Sequence, residues 1–369
     1  MSPAAAPSVT PARPLTAPEA VRTAVDARLL AFLDSAAAGL REVSPVADRL
    51  MEPLRAFASG GKRVRAMLTW WGHELAGGAP GEAIASAAGA VELLHAAALV
   101  HDDVIDASET RRGAPAVHAR FRQEHASGGW DGDPALYGTS AAIIAGDLCL
   151  ALSEELFGTT GLPVTAEVRA AHDALRRDVM LGQFLDIDLE AQPVPRAELA
   201  ARASEVLTHK TALYTVVQPL ALGAALAGAG PALLRALRAY GLPVGRAFQM
   251  RDDMLGVFGE PETTGKPAGD DLVQGKKTLL VAAVLERAEP AEADWFESRL
   301  GAPGLTPAEL AEMTALITAC GAAAEMEARI EEERAAAETG LAALRELGVA
   351  PESLRALGEF ADRLTHRRA

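Results

Sequence analysis

Residues 82–106 read EAIASAAGAVELLHAAALVHDDVID. This run of mostly Ala, Leu and Val follows the turn Gly77-Gly78-Ala79-Pro80-Gly81 and predicts one long helix. Three aspartates, Asp102, Asp103 and Asp106, stand at its end. Aspartate is a poor helix former, so helix propensity does not explain the cluster. Asp102 and Asp106 share a helix face, where like charges repel by roughly 0.2–0.5 kcal/mol. Carboxylates among Leu, Val and Ile are costly unless a cation neutralises them. The arrangement returns in Phe248-Gln-Met-Arg-Asp-Asp-Met-Leu-Gly256, which carries Asp252 and Asp253. Two facing carboxylate helices would hold several divalent ions. Oxygen-only ligands suit Mg2+, which keeps waters and bridges to phosphates. The two clusters therefore point to diphosphate chemistry.

Outward from these runs the pattern stays helical. Helices are expected over 20–40, 46–58, 62–75, 139–157, 166–189, 196–227, 231–257 and 270–287, with further helix to the end of the chain. Loops are expected at 107–115, 127–138 and 259–269, where Gly, Pro, Asp and Arg gather. Ala and Leu dominate and aromatics are only 4% of 369 residues, so the fold class is all-α. Small side chains let helix axes approach, and short turns favour an antiparallel bundle around an apolar cavity. No composition shift marks a boundary. Residues 1–18, rich in Ala and Pro, read as a disordered leader, and 19–369 as one domain.

The net charge of −15 argues against nucleic-acid binding. The two cysteines, Cys149 and Cys320, have no ligand spacing and fit a reducing cytoplasm. The most apolar stretches are broken by charge or Gly, so no transmembrane segment is assigned.

Cationic and amide residues complete a candidate site. Lys62 and Arg65 lie three apart at a helix start, where amides and the dipole already favour an anion. Alone they are also what a basic surface turn contains. His95 lies two turns before Asp102 on the same face, a ligand or a satisfied core histidine. Arg111 and Arg112 follow the first cluster, and Arg suits bidentate phosphate contacts. Lys210 and Thr211 fall mid-helix, where the Thr hydroxyl is expected to loosen the backbone bonding. Gln183 and Asp186 share one face, as do Gln249 and Asp252. Lys266 and Lys276 add cations beyond the second cluster, with a solvated patch as the alternative. Asp270 and Asp271 read as a helix start or as support for the metal site.

In combination and order, these motifs resemble the trans-isoprenyl diphosphate synthase family (polyprenyl synthetases), geranylgeranyl diphosphate synthases in particular, from about Gly60 to Thr278. The resemblance implies an isoprenoid synthase fold, a homodimer and a Mg2+-dependent transferase with three ions per site. It implies that Asp102, Asp106 and Asp252 hold metal, with Asp103 and Asp253 beside them. Lys62, Arg65, His95 and Arg112 match the isopentenyl diphosphate site. Arg111, Gln183, Asp186, Lys266 and Lys276 match the allylic diphosphate site, and Lys210, Thr211 and Gln249 line the allylic cation. Gly256 departs from the family, which often has a third Asp there. Ala97 and Ala98 take the place of the bulky floor that stops growth at fifteen carbons. A longer product is implied, geranylgeranyl diphosphate first, with a deeper floor at Phe157 or Phe184. The alternatives are a farnesyl or longer polyprenyl synthase, a terpene cyclase, or a silent partner subunit. A cyclase leaves Lys62, Arg65 and His95 unexplained.

Overall fold

The computed structural model describes residues 14–58, 60–259 and 268–366. The helices are α1 (Pro18–Val43), α2 (Ala47–Ala58), α3 (Val64–Leu75), α4 (Glu82–Ile105), α5 (Val117–Gly128), α6 (Pro134–Gly158), α7 (Ala166–Ala191) and α8 (Arg196–Val206). A π-helical segment, Leu207–Val217, leads into α9 (Gln218–Leu226), followed by α10 (Pro231–Phe258) and α11 (Asp270–Gln274). The rest are α12 (Leu279–Arg287), α13 (Pro290–Arg299), α14 (Pro307–Ala319), α15 (Ala322–Glu346) and α16 (Pro351–Thr365). The only strands among the described residues are β1 (Thr110–Arg111) and β2 (Ala114–Pro115), one antiparallel hairpin. The all-α expectation is met.

The chain divides into two compact units. The first comprises Met1–Arg176, Gln218–Leu237 and Leu344–Leu354; the second comprises Arg177–Val217, Arg238–Ala343 and Arg355–Ala369. In the first unit α4 is the core helix, buried along Ile84–Leu94. It packs most extensively against α6, and the pairing is antiparallel. His101 lies where a side chain at Gly146 would go, Ser153 Oγ donates to Ala90 O at 2.7 Å, and Leu156 meets Gly89. In the second unit Leu199, Met250, Leu280, Val284, Phe296, Met313 and Ile330 belong to one hydrophobic cluster. Trp70 and Trp71 are buried packing residues of α3.

Several boundaries differ from expectation. Lys62 is not helical: Arg63 takes a left-handed conformation (φ 52°) and α3 begins at Val64. Helix α5 has no counterpart among the expected elements, because its polar and histidine-rich sequence hides an apolar face of Val117, Phe121 and His125. Helix α6 starts five residues early, at Pro134, where Asp133 accepts from Ala135 N at 2.9 Å. The expected helix 270–287 is interrupted at Gly275 (φ 78°). Residues 14–17 of the expected leader lie within the described residues, and α1 begins at Pro18. Thr16 already bonds Glu74 through its backbone N, at 2.9 Å, and through its hydroxyl, and Trp71 Nε1 donates to Thr16 O. Residues 1–13 lie outside the described residues. Two helices, α4 and α6, are long and apolar enough to cross a membrane by length and composition alone; α4's apolar window is 78% buried and that of α6 33%.

Candidate active site

The first acidic motif closes α4. Over its last turns His95, Ala98, Leu99, Asp102 and the C-cap Asp106 are partly accessible and share one helix face; His101, Val104 and Ile105 are accessible on other faces, while Leu94, Ala96, Ala97, Val100 and Asp103 are buried. One line on the helix thus carries, in order, an imidazole, two apolar side chains and two carboxylates.

Asp103 turns inward and is fully buried. Arg111 Nε donates to its Oδ1 at 2.8 Å, and Arg111 Nη2 bonds the same oxygen and reaches Asp102 Oδ2 at 3.4 Å. Burial pushes the Asp103 carboxyl up, and the Arg111 bond opposes this. Asp103 therefore anchors Arg111 and leaves Asp102 and Asp106 as the accessible carboxylates. The hairpin that carries Arg111 turns through Arg112 (φ 54°) and Gly113 (φ 76°), both left-handed as a type I′ turn requires. Arg112 is exposed there, with Nη1 donating to Gly60 O at 3.4 Å.

Arg65 Nη1 meets His95 Nε2 at 3.0 Å. Burial, then the charges of Arg65 and Arg112, hold His95 well below the usual imidazole range, so the ring is neutral and Nε2 accepts from the guanidinium. Lys62 is exposed beside this pair in sequence. One first-turn amide of α3 is not open to an anion. Ala66 N already donates to Glu92 Oε1 at 3.1 Å, so an internal carboxylate caps the helix.

In the second unit the π-helical segment carries Lys210 and Thr211. π-segments concentrate at functional sites because they re-aim side chains. The sequence hint of a loosened helix at Thr211 is met, but the cause is different. The Thr211 hydroxyl donates to Gln249 Oε1 at 2.6 Å rather than to backbone. Gln249 Nε2 in turn donates to Asp253 Oδ1 at 2.7 Å. Lys210 Nζ is paired with Asp186. Gly182 permits this approach: a Cβ there would lie 2.4 Å from Lys210 N.

Asp252 is half-buried and Asp253 buried. Burial, then Asp271, with Asp252 and Asp186 adding to them, pushes Asp253 up to about 8, against the Gln249 bond. Gly256 explains itself here. A Cβ at that position would lie 2.0 Å from Asp271 Oδ2, so the Asp271 carboxylate occupies the space of the missing third aspartate. Lys276 stands 4.0 Å from Glu190 Oε1. Gln183 is half-buried on α7. Lys266 lies outside the described residues. Of the two deeper floor candidates, Phe184 is 61% exposed, whereas Phe157 is buried and stacked on His172 at 3.9 Å.

Among the described residues, no three His, Cys, Asp or Glu side chains are gathered closely enough to hold an ion alone. The donors present nonetheless fit a hard divalent cation. The accessible ones are carboxylate oxygens, and Asp253 is short of positive charge in its surroundings.

The fold is that of the isoprenoid synthases. The chain belongs to the polyprenyl synthetase family, whose pattern it matches over residues 47–317. It is a trans-prenyltransferase. A geranylgeranyl diphosphate synthase of Mycobacterium tuberculosis is 36% identical over 272 residues, 72% of this chain and 70% of that one. A (2E,6E)-farnesyl diphosphate synthase of Mycobacterium bovis is 36% identical over 265 residues, 71% of this chain and 67% of that one. A solved geranylgeranyl pyrophosphate synthase of Corynebacterium glutamicum, complexed with isoprenyl diphosphate and magnesium, is 38% identical with a TM-score of 0.87, covering 96% of this chain and 100% of that one.

Proposed function

We propose that this enzyme condenses isopentenyl diphosphate with an allylic diphosphate and makes geranylgeranyl diphosphate. The accessible face of α4 carries the argument: the apolar Ala98 and Leu99, with no aromatic side chain, lead directly away from the carboxylates Asp102 and Asp106. Asp102, Asp106 and Asp252 would hold Mg2+, three ions per site as in the family, which would neutralise the diphosphate leaving group. Arg111, Lys266 and Lys276 bind the allylic diphosphate, with Gln183 and Asp186 nearby. Lys62, Arg65, neutral His95 and Arg112 bind isopentenyl diphosphate. The oxygens of Thr211 and Gln249 and the Lys210 region line the carbon that becomes cationic, and the Gln249 carbonyl dipole stabilises it. The apolar side chains beyond exclude water from that cation. No protein nucleophile is needed.

Residues 19–369 act as one synthase domain. The α6 face of Leu136, Ile143 and Ile144, 65%, 43% and 54% exposed, serves as the contact of a homodimer. Cys149 is buried and Cys320 is also a free thiol, which suits a reducing cytoplasm.

The test is incubation with isopentenyl diphosphate, each allylic diphosphate and Mg2+, with products analysed by mass spectrometry. A C20 diphosphate is the expected product. Asp102→Asn and Asp252→Asn should each lower turnover by about 10²-fold or more. Products of fifteen or of twenty-five carbons and more would favour the farnesyl and longer-chain readings, a cyclic hydrocarbon a cyclase, and no product a silent subunit.

A further inference from the structure

Arg63 sits between the two cations of the Gly60–Arg65 turn, but its side chain points the other way. It is 5% exposed, its Nε donates to Asp26 Oδ1 at 2.7 Å, and its Nη1 to Glu92 Oε2 at 3.3 Å. Glu92, 7% exposed, uses its other oxygen to accept from Ala66 N at 3.1 Å in the first turn of α3. Arg63 also holds φ at 52°, a conformation that a non-glycine residue adopts only where its surroundings impose it. Two carboxylates, the buried Glu92 and the half-buried Asp26, thus fix one end of the turn, through the guanidinium and through a helix amide at once. With Arg63 turned inward and left-handed, Lys62 stays exposed, and Arg65, two residues on, reaches His95 from the first turn of α3.

We propose that Arg63, clamped by Asp26 and Glu92, is the positioning residue that holds Lys62 and Arg65 in register for one substrate diphosphate. This rests on the assignment of Lys62, Arg65 and His95 to isopentenyl diphosphate. Arg63 touches no substrate in this account; it acts through its neighbours. A guanidinium is suited to the task because its planar fork serves two carboxylates from fixed directions, which an ammonium does not. Glu92 is suited because one oxygen caps α3 while the other bonds Arg63, so the turn and the helix move as one piece. The clamp uses no substrate atom, so the turn is set before the diphosphate arrives.

The test uses the full-length enzyme and four substitutions. Arg63→Gly keeps the left-handed turn and removes the clamp. Glu92→Gln keeps the cap on Ala66 N but turns an amide nitrogen toward Arg63. Arg63→Lys keeps the charge and loses the fork. Lys62→Ala removes a direct contact. Arg63→Gly and Glu92→Gln should each raise KM for isopentenyl diphosphate about tenfold, with kcat and KM for the allylic substrate within twofold of the parent. Arg63→Lys should recover part of that loss. If Lys62→Ala raises this KM while Arg63→Gly and Glu92→Gln leave it unchanged, the clamp proposal is overturned and the substrate assignment stands. If Lys62→Ala itself leaves it unchanged, the substrate assignment fails. Equal losses in kcat and both KM values, with a matching fall in melting temperature, would make the clamp merely structural. Should Arg63→Gly not fold, Asp26→Asn reports instead, because Asp26 is only partly buried and keeps its shape; an unchanged KM there overturns the proposal as well.

Discussion

Ala98→Phe is the substitution that most directly probes the product channel. Ala98 is half-buried on the accessible face of α4, one turn before Asp102, whereas its neighbour Ala97 is 0% exposed. A phenyl ring at 98 has room to enter the accessible space; at 97 it must overpack the core, at a cost of about 1–3 kcal/mol. In the proposed channel the deeper barrier would be Phe157, level with Gly89 because its neighbour Leu156 packs there and Ser153 bonds Ala90 O. From residue 98 to residue 89 are nine helical steps of about 1.5 Å, so the floor rises by about 13 Å. An extended isoprene unit spans four carbon–carbon bonds of about 1.5 Å, or roughly 5 Å end to end at tetrahedral angles. The substitution therefore removes at least two units, and a C20 product should fall to about C10. Mass spectrometry of dephosphorylated products reads this directly, with melting temperature as the control. Ala97→Phe should lower the melting temperature, and Ala98→Phe should leave it nearly unchanged. An active Ala98→Phe enzyme with an unaltered product distribution would refute the channel along this face of α4.

Thr211→Val keeps the shape and removes the donor to Gln249, one hydrogen bond of about 1 kcal/mol; turnover should fall roughly five- to tenfold, and single-turnover rates check it. Gly256→Asp, which restores the family's usual residue, should lower Mg2+ affinity in titration calorimetry, because its Cβ collides with the Asp271 carboxylate; tighter binding would show that Asp271 yields freely. His172 is pushed down to about 4 by burial, then by Arg176. The fold favours neutral imidazole, so its contribution is present above the unfolded value near 6.5 and is lost as pH falls from there toward 4, by roughly 3 kcal/mol. Melting curves across that window should show this decline, and His172→Phe, which keeps a ring against Phe157, should flatten it.

Most of the helical scaffold was legible because apolar periodicity survives in long Ala-rich runs; α4 was placed at Glu82–Ile105 without error. Helix α5 was not legible, since His118 and His125 look polar in sequence and are buried in the fold. The paired carboxylates and their cations were legible from residue type and spacing. Their pairings were not. Glu92 reads as one charge in an apolar helix, and only the fold shows it capping α3 and holding Arg63. The π-segment was half legible: Thr211 hinted at it, but no residue type in Leu207–Val217 prescribes a hydrogen-bond register of five residues rather than four.

That π-segment ties function to residue count as well as to residue kind. In an α-helix each residue turns the chain by about 100°, so removing a single residue between Leu207 and Val217 would let the backbone relax to α while its far end stays fixed. Lys210 and Thr211 would then swing by about a quarter turn away from Asp186 and Gln249, with every side chain chemically intact. A chain engineered by swapping this helix with a relative's must therefore conserve its length first, because a one-residue deletion would displace the residues proposed to line the cation without changing any of them.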